Sequence, residues 1–330
     1  MTKPTLAITL GDPGGVGPEI VLKALARHPF KRPIRYVIYG SGQAFEACRK
    51  HIRGTVSIPF SDVSLEASKL LRKKGIKPGP SRKLFQPGKV SAANGALAVA
   101  ALDAAIKDVK KGTVQGIVTA PIHKTACRMI HKRFHGHTEY FARAFHVKDY
   151  AMMFVGPRLK VTLATIHVPL RRVSALIRPK LIESKIKLTH DFLKQYLGIA
   201  RPKIAVCALN PHGKETGTEE DRWILPAVRK MQKRSMHVTG PLSADQLFYE
   251  AYQGKYDGLI SMYHDQGLGP FKMVSFHDGV NTTLGLPFIR TSPDHGTAYD
   301  IAYRNQASAQ SMKQAIVLAE KLLKHRYKLS

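Results

Sequence analysis

The feature that most constrains the fold is a regular alternation between short apolar segments and helix-like segments along nearly the whole chain. Strand-like apolar runs occur at "LAITLG", "RYVIYG", "GIVTAP", "KVTLATI", "KIAVCAL" and "DGLISMY". Apolar residues spaced three and four apart predict helices near residues 42–52, 93–112, 181–196 and 311–325. Such alternation is typical of βαβ units and predicts a parallel sheet. A chain of 330 residues favours two α/β lobes over one small core.

The net charge of +29 is the unusual part of the composition, and it raises nucleic acid, a membrane surface or an acidic small molecule as partners. The basic residues are spread over several helix-like segments and lack the interleaved aromatic residues that stack on bases. We therefore expect no specific nucleic-acid binding. A basic nucleic-acid-binding protein is kept as the alternative from another functional class.

The three cysteines, Cys48, Cys127 and Cys207, have no metal-ligand or CxxC spacing. An odd count without a secretory signal favours a reduced, cytoplasmic compartment. No apolar run approaches the ~20 residues that a membrane span needs, so no membrane partner is expected.

Three of the strand-like runs are followed by a histidine. His167 follows "TLATI", His212 follows "AVCALNP" and His264 follows "GLISMY". The carboxyl ends of neighbouring parallel strands share one sheet edge, where ligands bind in such folds. Three imidazoles with an open position suit a catalytic divalent metal such as zinc. The argument requires that the three strands be neighbours, and any one histidine could instead be a core or capping residue.

Other polar segments predict turns and anion contacts. "GDPGGVGPE" (residues 11–19) could present backbone amides to a phosphate or carboxylate, or could simply be a tight turn. The Gly-Leu-Gly-Pro segment at 267–270 predicts a turn, and residues 73–89 predict a loop. Thr138 is a candidate helix N-cap. Arg290, after an apolar run, suits bidentate capture of a phosphate or carboxylate.

The motifs "GDPGGVGPEI", "TAPIHK", "GHTE", "LNPH", "GPLSADQLF", "MYHDQG" and "VNTTLGLPFIRTSPDHGTAYDIA" resemble the 4-hydroxythreonine-4-phosphate dehydrogenase family of pyridoxal phosphate biosynthesis. The match covers nearly the whole chain in the same order. A more distant resemblance links "GDPGGVGPE" and "HGTAYDIA" to isocitrate and isopropylmalate dehydrogenases.

The resemblance implies an α/β fold of two lobes with the α/β/α architecture of those dehydrogenases and the active site in the cleft between the lobes. The expected lobes are residues 1–125 with 280–330, and residues 126–279. The implied reaction is NAD- or NADP-dependent oxidation of 4-phosphooxy-L-threonine, with one divalent metal (zinc, magnesium or cobalt) per site. Another phosphorylated hydroxy acid, such as phosphoerythronate, is the alternative substrate within the family.

The family's functional positions can be carried over one by one. The metal ligands fall on His167, His212 and His264, the three histidines already reached from the strand ends. The substrate-binding positions fall on His137, Thr138, Lys272, Asn281 and Arg290. The more distant resemblance sets His295, Gly296, Thr297, Ala298 and Asp300 beside the cofactor. Asp245 and Asp265 are the candidates for the general base, each with a supporting structural role as the alternative.

The resemblance also implies a homodimer that shares its metal ligands, with His264 expected from one chain and the other two histidines from its partner. The sequence departs from the family in a shorter loop after "NPH", in Gly269-Pro270, and in Gln246, which replaces a small hydroxyl residue. None of these departures removes a carried-over ligand.

Overall fold

The computed structural model of the chain describes residues 3–26, 28, 33–52, 58–77, 84–213 and 215–329. Within these ranges the strands are β1 (Thr5–Thr9), β2 (Arg35–Gly40), β3 (Phe60–Asp62), β4 (Gly116–Thr119), β5 (Ala151–Val155), β6 (Lys160–Leu163), β7 (Lys203–Cys207), β8 (His237–Leu242), β9 (Gly258–Ser261), β10 (Val280–Leu284) and β11 (Ile289–Pro293). Of the loop predicted at 73–89, residues 78–83 lie outside the described residues.

The helices are α1 (Gly17–Ala26), α2 (Gly42–Arg49), α3 (Ser64–Lys73), α4 (Ala92–Lys110), α5 (Lys124–Ile130), α6 (His137–Ala144), α7 (Val173–Leu176), α8 (Pro179–Leu197), α9 (Leu225–Gln232), α10 (Ala244–Tyr252), α11 (His264–Ser275) and α12 (Gln310–Tyr327). The predicted α/β alternation is confirmed, since each predicted strand and helix is present. Local signals explain several boundaries. Ser91 caps α4 by accepting the amide of Asn94, and Gly198 ends α8 in the left-handed conformation.

The chain divides into two compact units, Met1–His146 with Pro287–Ser330 (unit 1) and Val147–Leu286 (unit 2). The expected boundaries were 125/126 and 279/280. Helices α5 and α6 fall in unit 1 because α5 packs on α4, and Phe141 and Phe145 pack against Phe288. Strand β10 falls in unit 2 because it pairs with β5.

Unit 1 contains the strand order β3-β2-β1-β4-β11, and each of these neighbouring pairs is parallel. The residues of β1 from Leu6 to Thr9 are buried, as expected of a central strand covered on both faces by helices.

Unit 2 contains the order β10-β5-β6-β9-β7-β8. The pairs β6–β9, β9–β7 and β7–β8 are parallel, whereas β5 runs antiparallel to both β6 and β10. The predicted parallel sheet is therefore interrupted at β5, which was not predicted as a strand. The reason is the short turn from Gly156 to Leu159, closed by the Gly156 amide donating to the Leu159 carbonyl at 2.8 Å. Such a turn makes a hairpin and leaves no room for a crossover helix.

The turn predicted at 267–270 is also wrong, because these residues lie inside α11. Neither Gly267 nor Gly269 has a positive φ. A Cβ at Gly267 would lie 2.4 Å from Ser261 Oγ and 2.9 Å from Leu163 Cδ2. This glycine therefore serves the close approach of the helix to β6 and β9 rather than a reversal of the chain. Helix α11 also contributes Leu268 and Phe271 to the apolar core of unit 2.

Among the helices of the described ranges, none combines the length and the apolar character that crossing a bilayer requires.

Candidate active site

Three neighbouring strands of unit 2 lead into the three predicted metal ligands. Strand β9 lies between β6 and β7 and is parallel to both, so the three strands end at the same sheet edge. His167 follows β6, His264 follows β9 and His212 follows β7. The condition that the strands be neighbours is therefore met, and the histidines sit where open α/β sheets bind ligands.

Two of these histidines lie side by side. The ring centroids of His167 and His264 are 5.7 Å apart, with 38° between the ring planes. Nδ1 of His264 lies 2.7 Å from Oδ1 of Asp265. That contact suits an Nδ1 that donates its proton to the carboxylate and leaves the Nε2 lone pair for a cation. The pair has the donor chemistry of a zinc or cobalt site.

His212 does not join this pair within the chain. Over the described part of the sequence, no group of three His, Cys, Asp or Glu side chains is arranged so that it could hold a metal ion. The rings of His167 and His264 lie together within one chain, whereas the resemblance implied that His264 comes from a different chain than His167. The division of the ligands between chains stays a prediction. His167 and His212 both have left-handed backbone conformations, with φ of 47° and 53°. Non-glycine residues adopt this conformation rarely, and it clusters at functional sites.

Arg290 forms a buried cationic group in unit 1. It lies on β11 with 3% exposure, and its Nη2 donates to Thr119 Oγ1 at 2.9 Å. Burial lowers the pKa of the guanidinium to about 10, an effect that the charge of Glu139 opposes. A guanidinium makes charge-assisted, bidentate hydrogen bonds, so its chemistry suits a phosphate or carboxylate ligand.

His137 supplies a second polar group in the same unit. Its Nε2 is buried and has no hydrogen-bond partner among the described residues. Burial, followed by the positive charges of Arg290 and Lys124, lowers its pKa well below the ordinary value, so the ring is neutral at pH 7. Thr138 is buried as the second residue of α6, and the N-cap position is Gly136. The prediction of Thr138 as N-cap is wrong because the helix already starts at His137.

The other two predicted substrate residues lie in unit 2. Lys272 is in the last turn of α11, where its Nζ is 5.4 Å from the ring centroid of Phe276. Asn281 lies on β10 opposite Phe154. Its Oδ1 is buried and lacks a hydrogen-bond partner within the described ranges. A buried amide oxygen of this kind needs a donor, which a ligand can supply.

The glycine-rich turn after β1 is used for packing. The amides of Gly14 and Gly15 donate to Asp12, and the amide of Val16 donates to the carbonyl of Thr297. A Cβ at Gly15 would lie 2.5 Å from that same carbonyl oxygen. These amides are therefore occupied, and of the two interpretations the structure supports the tight turn over the anion-binding loop.

The predicted cofactor segment, residues 295–300, is partly hydrogen-bonded to this glycine-rich turn and partly exposed. Thr297 accepts the amide of Val16, and Ala298 has a φ of 41°. His295, Gly296 and Asp300 are exposed, and a Cβ at Gly296 would meet nothing within 4 Å. An exposed carboxylate and open backbone fit the hydroxyl-rich adenosine part of a nicotinamide cofactor.

Asp12, close to this segment, was not a candidate from the sequence. It accepts the Tyr299 hydroxyl at 2.6 Å, and the His123 ring stacks on Tyr299 with centroids 5.2 Å apart. Burial raises the pKa of the Asp12 carboxyl, against the lowering effect of the Tyr299 hydrogen bond. The sequence placed Asp12 only within a glycine-rich motif and gave no sign of its contact with Tyr299.

The two candidate bases differ in their surroundings. Asp265 is 90% exposed and contacts His264, which suits support of that imidazole. Asp245 is exposed in the first turn of α10. Lys124 and Glu139, which act on His137 and Arg290, were not predicted. Lys124 is the last residue of the motif "TAPIHK", and Glu139 is the last residue of "GHTE", two positions after His137. Their place in these motifs was the signal that could have identified them.

Comparison with known proteins decides the family. The profile described as pyridoxal phosphate biosynthetic protein PdxA matches residues 33–319. The chain belongs to the PdxA family. The predicted family is thereby confirmed, and with it the expectation of an enzyme.

Curated relatives match nearly the whole chain. A 4-hydroxythreonine-4-phosphate dehydrogenase of Desulforapulum autotrophicum is 41% identical over 96% of this chain and 95% of its own length. A D-threonate 4-phosphate dehydrogenase of Salmonella typhimurium is 38% identical over 98% of this chain and 100% of its own length.

Solved structures agree with the fold. The crystal structure of 4-hydroxythreonine-4-phosphate dehydrogenase from Klebsiella pneumoniae has a TM-score of 0.82 and 35% identity, over 97% of this chain and 99% of that one. Isocitrate dehydrogenase from Methylococcus capsulatus, at 14% identity and a TM-score of 0.50, shares the fold at a distant level, over 99% of this chain and 87% of that one. The predicted relationship of the PdxA fold to isocitrate dehydrogenase is confirmed.

Proposed function

We propose that the chain catalyses the NAD-dependent oxidation of 4-phosphooxy-L-threonine to 2-amino-3-oxo-4-phosphooxybutanoate. This 3-keto acid then loses CO2 to give 3-amino-2-oxopropyl phosphate. The observation that carries the proposal is the sheet edge where β6, β9 and β7 end, since His167, His264 and His212 follow these strands. Relatives of the chain bear the name of this dehydrogenase.

The three histidines are the proposed ligands of one divalent cation, with zinc, cobalt and magnesium as candidates. A bound cation of this kind acts as a Lewis acid that polarises the reacting hydroxyl. The contact between His264 and Asp265 supports the assignment, since a carboxylate behind a ligating imidazole fixes its tautomer and orientation. With Asp265 engaged in this way, Asp245 is the candidate for the base that accepts the hydroxyl proton.

The phosphate is proposed to bind Arg290, Thr138 and Lys272, away from the reacting carbon. Binding energy at the phosphate orients the substrate for hydride transfer. The guanidinium of Arg290 supports this role, because it is a buried group of fixed fork geometry that suits bidentate contact with a phosphate. Neutral His137 and the buried oxygen of Asn281 supply further polar contacts to the substrate.

The hydride acceptor is proposed to be NAD, with NADP as the alternative, bound beside His295, Gly296, Thr297, Ala298 and Asp300. A nicotinamide held by these residues would supply the hydride acceptor for the oxidation. The exposed carboxylate of Asp300 can accept a ribose hydroxyl, and that chemistry favours NAD over a 2′-phosphate.

The active unit is proposed to be a cytoplasmic homodimer with shared sites. Support comes from exposed apolar side chains at the end of α11, namely Met273 at 89%, Val274 at 45% and Phe276 at 67% exposure. Exposed apolar groups in a row are typical of association surfaces.

D-threonate 4-phosphate is the second candidate substrate, because one relative at 38% identity bears the name of its dehydrogenase. The two substrates differ at carbon 2, where one has an amino group and the other a hydroxyl. Phosphoerythronate belongs to the same class of phosphorylated hydroxy acids.

The deciding experiment measures NADH formation by the purified protein with each of the three phosphorylated acids. We expect the highest kcat/KM with 4-phosphooxy-L-threonine. Chelation should abolish turnover, and added zinc, cobalt or magnesium should restore it. A higher kcat/KM with D-threonate 4-phosphate would replace the proposed substrate, and full activity in a verified metal-free preparation would remove the metal from the proposal.

A further inference from the structure

The backbone segments that precede the three histidines are joined by side-chain hydrogen bonds. The first link joins the ends of β6 and β9. The amide and the Oγ1 of Thr165 both donate to the carbonyl of Met262, at 3.2 Å and 2.7 Å. Thr165 is 6% exposed and Met262 is 0% exposed, so water does not compete strongly for the Met262 carbonyl.

Gln266, in the first turn of α11, makes the second link. Its Oε1 accepts the amide of Met262 at 2.7 Å, and its Nε2 donates to the carbonyl of Ala208 at 2.8 Å. One amide side chain therefore ties the end of β9 to the end of β7. Both partners are backbone groups just beyond their strands, where the ladder of the sheet no longer supplies a partner.

Glu220 makes the third link, beyond β7. Its Oε1 accepts the amides of Leu209 and Asn210, each at 2.8 Å, and its Oε2 accepts Nδ2 of Asn210 at 3.0 Å. Glu220 is 1% exposed, and it opens the short π-helical turn Glu220–Ile224. A buried carboxylate with three donors fixes the backbone it contacts.

The links have the same relation to all three histidines. Each histidine stands two positions after a residue that these bonds hold: His167 after Thr165, His264 after Met262, and His212 after Asn210. His167 and His212 also hold left-handed φ values, which persist only where the surroundings determine the backbone.

We propose that Thr165, Gln266 and Glu220 form a strand-end brace, a set of positioning residues that sets the direction of the three histidine side chains. The inference rests on the proposed function, in which those histidines hold a divalent cation. The brace residues are not among the proposed ligands of the cation or of the substrate. They act through the backbone, as outer groups that orient ligands do at metal sites.

Glu220→Gln tests the carboxylate with little change of shape. The glutamine side chain keeps one accepting oxygen, whereas its NH2 group cannot accept a hydrogen bond. The variant therefore loses either the bonds to the amides of Leu209 and Asn210 or the bond to Nδ2 of Asn210. Loss of outer support typically weakens metal binding about 10–100-fold. We expect zinc affinity, measured by competition with a chromophoric chelator, to fall about tenfold, and the visible spectrum of the cobalt(II) form to change.

Glu320→Gln is the matched control. Glu320 is equally buried, at 1% exposure, and accepts the Tyr36 hydroxyl at 2.6 Å, but it lies in unit 1. This variant should lose thermal stability while its zinc affinity and cobalt spectrum stay unchanged. A loss of zinc affinity equal to that of Glu220→Gln would show a general effect of a destabilised fold and would overturn the brace.

Thr165→Val and Thr165→Ser form a second pair that keeps the test decisive if Glu220→Gln does not fold. Valine removes the Oγ1 bond to Met262 with nearly the same volume, whereas serine retains it. We expect weaker zinc binding and an altered cobalt spectrum for valine, and recovery of both for serine. Wild-type affinity and spectrum in the folded valine variant would overturn the proposal.

His264→Ala separates the two levels of inference. If it binds zinc as tightly as the wild type, the histidine site itself is wrong, and the brace has no ligand to orient. If His264→Ala loses zinc but Thr165→Val keeps it, the metal site stands and the brace alone is rejected.

Discussion

Arg290 and His137 show how burial changes what a polar residue can do. The sequence identified both as candidates by residue type and motif, but it could not show that the guanidinium is buried or that the imidazole nitrogen lacks a described partner. Those properties come from the packing of β11 and α6 in unit 1. A guanidinium and a neutral imidazole held out of water have the hydrogen-bonding chemistry that the proposed phosphorylated substrate requires.

Arg290→Ala should therefore weaken catalysis selectively for the phosphorylated substrate. Charge-assisted contacts contribute about 1.5–3 kcal/mol, so kcat/KM for 4-phosphooxy-L-threonine should fall roughly tenfold or more. The same steady-state measurement with 4-hydroxythreonine, which lacks the phosphate, serves as the internal control and should change little. Equal losses with both substrates would mean that Arg290 supports the fold through Thr119 rather than binding phosphate.

Helix α11 illustrates how a single element can carry contradictory local signals. Gly267, Gly269 and Pro270 favour a turn by their backbone preferences, yet all three lie within the helix. Packing of Leu268 and Phe271 into the core of unit 2 outweighs those preferences. The helix matters for the site because His264 and Gln266 stand in its first turn.

Gly267→Ala and Gly269→Ala should change stability in opposite directions. At Gly267 the added methyl meets Ser261, Leu163 and Val161 at 2.4, 2.9 and 3.1 Å, so we expect a loss of about 1–3 kcal/mol from overpacking. At Gly269 nothing lies within 4 Å, so the alanine should stabilise the helix by about 0.5–1 kcal/mol. Denaturant unfolding of both variants measures the difference. A stabilised Gly267→Ala would contradict the close contact with β6 and β9.

The elements that the sequence predicted are those with strong periodicity or long apolar runs, such as β1, β7, α4 and α8. Strand β5 was missed, and its antiparallel direction depends on a four-residue turn rather than on any pattern within the strand. The three strand ends were recognised from their histidines. The order β6-β9-β7, which makes them neighbours, is a property of long-range pairing and could not be read from spacing alone.

At the scale of the whole molecule, the proposed homodimer offers a source for the ligand that the His167–His264 pair lacks. His167 and His264 lie together, and no third His, Cys, Asp or Glu side chain from the described residues completes a metal site with them. In a two-fold dimer, a group missing from one chain can be supplied by its partner, and the symmetry repeats the exchange at a second site. This grouping favours His167 and His264 from one chain with the partner's copy of His212.

Mixed dimers of histidine variants distinguish this division from the alternatives. We consider inactive His212→Ala and His264→Ala proteins that are unfolded and refolded together. In a mixed dimer, one site then takes an intact His167–His264 pair from one chain and an intact His212 from the other. Random pairing makes about half of the dimers mixed, each with one complete site of two, so roughly a quarter of wild-type activity should return.

The second mixture, His167→Ala with His264→Ala, should recover no activity. In this mixture each chain lacks either His167 or His264, so no chain has an intact His167–His264 pair. Activity in this second mixture would instead support His264 and His167 coming from different chains. Mass spectrometry of the refolded samples must show mixed dimers in both cases. If neither mixture recovers activity although mixed dimers are present, each chain supplies all of its own ligands. That result would remove the shared site from the proposal.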